Sequence, residues 1–163
     1  MRKFERQVLS YAEYHRDTVN KLLHFVGVPL VIFSILVPMA WLKIAYGISG
    51  ATVFYLAVFV YYMRLDRLVG ALQFPFTFVI LALAEKTAAM PFKASFLVFS
   101  ATFIGGWTIQ LVGHYFEGRR PALVDNFLQI FNAPLFLTVE VMFALGFRRD
   151  LREKVKEHNL GRG

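Results

Sequence analysis

Apolar residues in this chain come in long blocks, with polar residues confined to the short stretches between them. Continuous apolar runs cover residues 25–42, 48–63, 68–84 and 94–113, and a fifth, interrupted run covers 126–147. Each of the first four is close to the roughly 17–20 residues that a helix needs to span hydrocarbon. Transmembrane strands would alternate apolar and polar positions, and these runs do not. Residues 2–14 follow another pattern: Phe4, Val8, Tyr11 and Ala12 recur on one helical face, with Arg2, Lys3, Arg6 and Glu13 elsewhere. That spacing predicts an amphipathic helix lying along a membrane surface. The expected fold class is all-α, a polytopic transmembrane helix bundle with an N-terminal interfacial amphipathic helix. It forms one integral membrane domain over 1–163: residues 1–24 carry the interfacial helix and a first His motif, 25–147 the membrane helices, and 148–163 a basic tail.

Composition strengthens the membrane reading. Of 163 residues, 57% are hydrophobic, 17% aromatic and only 18% charged, and the mean hydropathy is +0.52. Ordinary soluble domains carry about a quarter charged residues. The net charge of +7 would suggest nucleic acid in a soluble domain. Here the basic residues cluster at the chain ends and between apolar runs, where the positive-inside rule and anionic headgroups account for them. The expected partners are therefore membrane lipids and no nucleic acid. With no cysteine, disulfides, thiolate metal sites and cysteine nucleophiles are excluded. Residues 1–24 are charged and lack an apolar h-region, so no cleavable signal peptide is expected.

Two polar motifs interrupt this apolar plan. The stretch from Gly106 to Pro121 starts inside run four and ends in a basic loop. Within it Gln110, His114 and Glu117 fall at i, i+4 and i+7, one stripe of a helix. Gly118 is the expected C-cap, and Pro121 blocks continuation. Polar groups at such a position either bind or react with something, or hydrogen-bond neighbouring helices together. The second motif runs from Tyr14 to Pro29. His15 and His24 are nine residues apart, on opposite sides of an unbroken helix at about 100° per residue. They converge only if a helix ends between them, and Asp17 or Thr18 is the natural N-cap for a new start. His15 is therefore expected in a turn and His24 in the following helix, on the same face as Asn20.

Counting crossings brings the motifs together. Four spans separate His24 from His114, so both motifs return to the same membrane face, expected to be the cytoplasmic one. The last run resists a simple crossing. Asn132-Ala133-Pro134 interrupts it, and a full span would place the basic tail outside. A re-entrant or bent pair of half-helices, with both termini cytoplasmic, is the expectation. Glu140, inside that run, reads as an inward-facing hydrogen-bonded acid, and His158 as a solvated residue of the tail.

His15, His24 and His114 with Glu117 supply nitrogen and oxygen ligands and no sulfur. Imidazoles suit zinc, iron, copper or nickel; His with carboxylate and open positions suits non-haem iron(II) and O2, and three His also serve catalytic zinc. Asn20 and Gln110 are candidate outer-shell or substrate contacts. Arg119 and Arg120 can hold a carboxylate through paired N–H bonds or anchor to lipid headgroups. Phosphate loops, nucleophile elbows and zincin motifs are absent from the sequence. Three readings follow: an oxygen-using iron enzyme, a zinc-dependent membrane hydrolase, or a non-catalytic lipid-binding protein with interhelical histidines.

The two motifs together, Tyr14-His15-Arg16, Asn20-Lys21, His24, Gly27 and Pro29, then Trp107, Gln110, Gly113-His114, Glu117 and Arg119-Arg120-Pro121-Ala122-Leu123, resemble the family of the fungal endoplasmic-reticulum 2-hydroxy-fatty-acid dioxygenase, in its bacterial form. The resemblance covers most of the chain and departs at Gly118, where a larger residue is expected. It implies an Fe(II)-dependent dioxygenase of fatty-acid α-oxidation, acting on a 2-hydroxy fatty acid with O2 and releasing CO2. His15, His24 and His114 would be the iron ligands, with Glu117 a fourth ligand or an acceptor behind them. Such a protein is expected in a bacterial inner membrane, or in the endoplasmic reticulum if eukaryotic.

Overall fold

The computed structural model describes residues 1–121 and 130–160. The described residues contain seven helices and one short hairpin: α1 Lys3–Ala12, α2 Thr18–Trp41, β1 Lys43–Ala45, β2 Ile48–Ser49, α3 Gly50–Leu65, α4 Arg67–Ala88, α5 Phe92–Glu117, α6 Asn132–Ala144 and α7 Arg149–Leu160. The protein is all-α apart from that hairpin. It forms two compact units, one of Met1–Phe25 with Gln110–Gly163 and the other of Val26–Ile109.

Among the described residues, three helices are long and apolar enough to cross a membrane: α2 with 24 residues, α4 with 22 and α5 with 26. At about 1.5 Å per residue each exceeds a hydrocarbon core of roughly 30 Å. Helix α3 is shorter, at 16 residues, as is α6 at 13. The interrupted last run thus does not form one membrane-length helix in its described part; α6 starts at Asn132, with Pro134 in the first turn where a missing N–H costs nothing. Residues 126–129 of that run lie outside the described residues. On α5, Leu97 is 69% and Ile104 65% exposed. Seven residues apart, they mark a face that water would reject and lipid would accept.

In the Val26–Ile109 unit, Leu36, Val37 and Ala40 of α2 pack with Ala51 and Tyr55 of α3 and Ile80, Leu81 and Ala84 of α4. Gly106 lets α5 approach α2, since a Cβ there would sit 3.0 Å from Val31. Ser49 caps α3 and Asp66 caps α4 through side-chain oxygens. The hairpin lies where only a polar gap was expected. Tyr46 and Gly47 have φ of 50° and 80°, and consecutive positive φ values between paired strands are the signature of a tight two-residue hairpin. Glu85 ties this hairpin to α4 by accepting from Lys43 Nζ at 2.8 Å and from the Ser49 hydroxyl.

In the other unit, the amphipathic α1 forms as its spacing predicts. Its apolar face is covered by protein: Phe4, Val8 and Tyr11 are buried, and the Tyr11 ring lies 5.1 Å from Phe136 of α6. Helix α7 also packs on α1. His158 of α7 meets Glu13 at 2.6 Å, which corrects the expectation of a solvated tail residue: the tail is a helix whose one imidazole is turned onto α1. Glu140 pairs with Lys21 of α2 at 3.0 Å, both half-buried, in keeping with a satisfied inward-facing acid.

Candidate metal centre

His15, His24 and His114 come together within the unit of Met1–Phe25 and Gln110–Gly163. They are 1%, 2% and 6% exposed, and one ligand-capable nitrogen from each lies within 4.8 Å of the other two. Their rings meet edge-on, with centroids 4.5–5.0 Å apart. Helix α1 stops at Ala12, His15 sits in the turn, and α2 restarts at Thr18, with Asp17 Oδ1 accepting from Asn20 N at 2.9 Å. This break puts two histidines nine residues apart side by side. His114 arrives from the last turn of α5, which Gly118 closes at φ +67°.

The tautomers follow from the partners. His15 Nδ1 lies 3.0 Å from the Tyr11 carbonyl, and His24 Nδ1 lies 2.9 Å from the Asn20 carbonyl. A carbonyl only accepts, so each Nδ1 carries the proton and each neutral ring keeps its lone pair on Nε2. Those two Nε2 atoms face each other at 3.2 Å. Two lone pairs cannot form a hydrogen bond, and a proton between them is disfavoured: burial first, then the neighbouring His24, drives the His15 pKa down to about 2. A metal ion resolves the conflict. Two nitrogens at about 2.1 Å from one ion lie about 3.0–3.4 Å apart at tetrahedral to octahedral angles. His114 would draw in slightly from the wider separation. Its Nδ1 is buried without a hydrogen-bond partner, as a ligand-capable nitrogen would be. The donor set fits a borderline cation such as iron(II) or zinc.

Glu117 serves this cluster from behind. Its Oε1 accepts from Arg16 N at 2.9 Å; its Oε2 accepts from Asp17 N at 2.8 Å and from Asn20 Nδ2 at 3.0 Å. One carboxylate of α5 thereby fixes the turn that carries His15. Asn20 acts twice, through its backbone carbonyl on His24 and its side chain on Glu117. Gln110 is half-buried on α5. Arg119 and Arg120 are both exposed, and Arg119 Nη1 donates to the Glu13 carbonyl at 3.2 Å.

Two residues that the motifs contain, but to which the sequence assigns no role, shape the site. Gly113 is the seat for Asn20: a Cβ there would stand 2.5 Å from Asn20 Oδ1. Gly113→Ala should displace Asn20 from Glu117, lowering stability by about 1–3 kcal/mol and weakening metal retention, readable by thermal unfolding and elemental analysis. Unchanged stability and metal content would count against this packing. Arg16 is the other. Its Nε and Nη2 are buried without partners, which no spacing rule announces.

Burial of a neutral His15 also sets a pH dependence. An unfolded imidazole takes up a proton below about pH 6.5, whereas folded His15 refuses one down to about pH 2. The unfolded state therefore binds more protons across that window, and stability falls as pH drops, by about 1.4 kcal/mol per pH unit for one such ring. The melting temperature of metal-free protein should drop steadily from pH 6.5 to 5. A flat or rising profile over that range would contradict a buried neutral ring.

Comparison with known proteins fits this geometry. Residues 1–145 match the Mpo1-like family, described as 2-hydroxy-palmitic acid dioxygenase Mpo1-like. The chain belongs to the Mpo1-like family. It is 35% identical over 157 residues to the 2-hydroxy-palmitic acid dioxygenase MPO1 of Saccharomyces cerevisiae, covering 94% of this chain and 87% of that protein. No solved structure matches.

Proposed function

We propose that this protein is an iron(II)-dependent dioxygenase that removes one carbon from 2-hydroxy fatty acids at a membrane. Family membership places it among dioxygenases. The observation that carries the finer reading is the pair of Nε2 lone pairs held 3.2 Å apart with both Nδ1 protons committed to carbonyls. That arrangement is pre-set for a cation and ill-suited to a histidine used only as a hydrogen bond between helices.

His15, His24 and His114 would hold the iron, and when bound it supplies the one-electron chemistry that lets triplet O2 react. The residues around it keep the site in shape: the Tyr11 and Asn20 carbonyls retain the Nδ1 protons, and Glu117 anchors the turn. Tyr11 stacks on His15 at 4.1 Å, fixing the ring plane and excluding water from that side. Overall, one 2-hydroxy fatty acid and one O2 give the acid one carbon shorter, CO2 and water. The hydroxyl-bearing carbon and the departing carboxyl carbon together lose four electrons, and O2 takes all four. No 2-oxoglutarate or other reductant is needed. The acyl tail would enter from lipid, and the His motifs would sit at the cytoplasmic face.

Purified protein supplied with iron(II), O2 and a 2-hydroxy fatty acid should release CO2 and the shortened acid in equal amounts. Oxygen-independent turnover with tightly held zinc would instead favour the hydrolase reading.

A further inference from the structure

Arg16 follows His15 in the chain, and its backbone N–H is fixed by Glu117 Oε1 at 2.9 Å. Its Nε and Nη2 are buried and make no hydrogen bond. Arg16 as a whole is half-buried, but donors shut away from water without an acceptor are unfavourable enough that proteins rarely leave them so. The neighbouring acids are engaged elsewhere: Asp17 caps α2, Glu117 holds three N–H groups, and Glu13 meets His158. The two orphaned nitrogens are not a random pair. Nε–H and Nη2–H lie along one edge of the guanidinium plane and point the same way, the edge that grips a carboxylate through two parallel bonds.

We propose that Arg16, the residue that follows His15 in the chain, is the carboxylate receptor of the site, binding the head of a long-chain fatty acid through its Nε/Nη2 edge. This rests on the fatty-acid reading above and assigns its recognition step to a residue outside the metal ligands. Arg16 supplies the charge that an ionised carboxylate needs on leaving water, and its bidentate edge favours a free acid over the corresponding alcohol or ester. Arg119 and Arg120 are exposed and lack this sheltered pair of donors.

The test uses the full-length, metal-loaded protein in detergent, with palmitate as a non-reacting acid and hexadecanol as its uncharged counterpart. Wild-type protein should bind palmitate at least ten-fold more tightly than hexadecanol. Arg16→Gln should erase that preference while keeping metal stoichiometry and helical content, and should raise KM for a 2-hydroxy fatty acid at least ten-fold. Arg16→Lys, which keeps the charge without the planar edge, should fall between the two. Equal wild-type affinity for acid and alcohol overturns the proposal without any variant. So does unchanged palmitate affinity in Arg16→Gln, which would mean that the metal alone holds the head group. If the acid preference depends on Arg16 but no CO2 is released from 2-hydroxy acids, the receptor stands and the proposed reaction falls.

Discussion

His114→Ala should abolish stoichiometric metal binding and CO2 release while leaving the fold largely in place. The reason lies in what His114 does not do. His15 and His24 each donate Nδ1–H to a backbone carbonyl, of Tyr11 in α1 and of Asn20 in α2, so removing either also breaks a hydrogen bond to the backbone. The His114 Nδ1 is instead buried without a hydrogen-bond partner. Truncating it removes a proposed ligand and leaves a small cavity. Losing an outer-shell contact typically costs 10–100-fold in metal affinity; losing one of three ligands should exceed about 100-fold. Metal content of protein purified without added metal and the yield of CO2 per enzyme are the measurements. A His114→Ala protein that retains equimolar metal and turns over would remove the centre altogether.

How much of this was legible in the sequence differs between backbone and site. The membrane-length helices α2, α4 and α5 were plain, because burying apolar residues in lipid or protein leaves the same continuous runs. The α1–α2 break was also legible, since Asp17 is a side chain that caps a new helix. His15, His24 and His114 do converge, but the four-span count that led to that expectation does not match the helices: among the described residues three are long and apolar enough to cross, and α3 falls short. What stayed hidden were features decided by tertiary partners. The face of α1 made by Phe4, Val8 and Tyr11 suits lipid or protein equally by its pattern, and only contact with α6 settles the matter. His158 looked solvated because its partner, Glu13, lies 145 residues away. Tyr46-Gly47 is a weak turn signal, since tyrosine seldom takes a positive φ.

The roles within the site were harder still. Glu117 stood out by its place on the polar stripe, yet spacing could not show whether its oxygens face a metal or a backbone. In the structure both oxygens accept N–H groups from the turn after His15. Arg16 stood in the first motif without a role until burial of its guanidinium edge set it apart.

Glu117 therefore yields the second large effect, and two substitutions separate its possible roles. Glu117→Ala strands Arg16 N and Asp17 N and takes one of two acceptors from Asn20 Nδ2, which keeps the Tyr14 carbonyl at 3.3 Å. Hydrogen bonds to charged groups are worth about 1.5–3 kcal/mol each, and water entering the gap recovers part of that, so a net loss of about 2–4 kcal/mol is expected. The turn carrying His15 should loosen, with metal affinity falling about 10–100-fold, as for other outer-shell partners. Glu117→Gln should be milder. Its carbonyl oxygen can replace Oε2 and keep Asp17 and Asn20, but its NH2 then faces the Arg16 N–H, donor against donor. Thermal unfolding and metal titration of both variants decide the matter. If Glu117→Gln loses metal as completely as His114→Ala, the carboxylate is a ligand in its own right. If it keeps stoichiometric metal at saturation with a lowered melting temperature, Glu117 is the clamp that joins α5 to the start of α2.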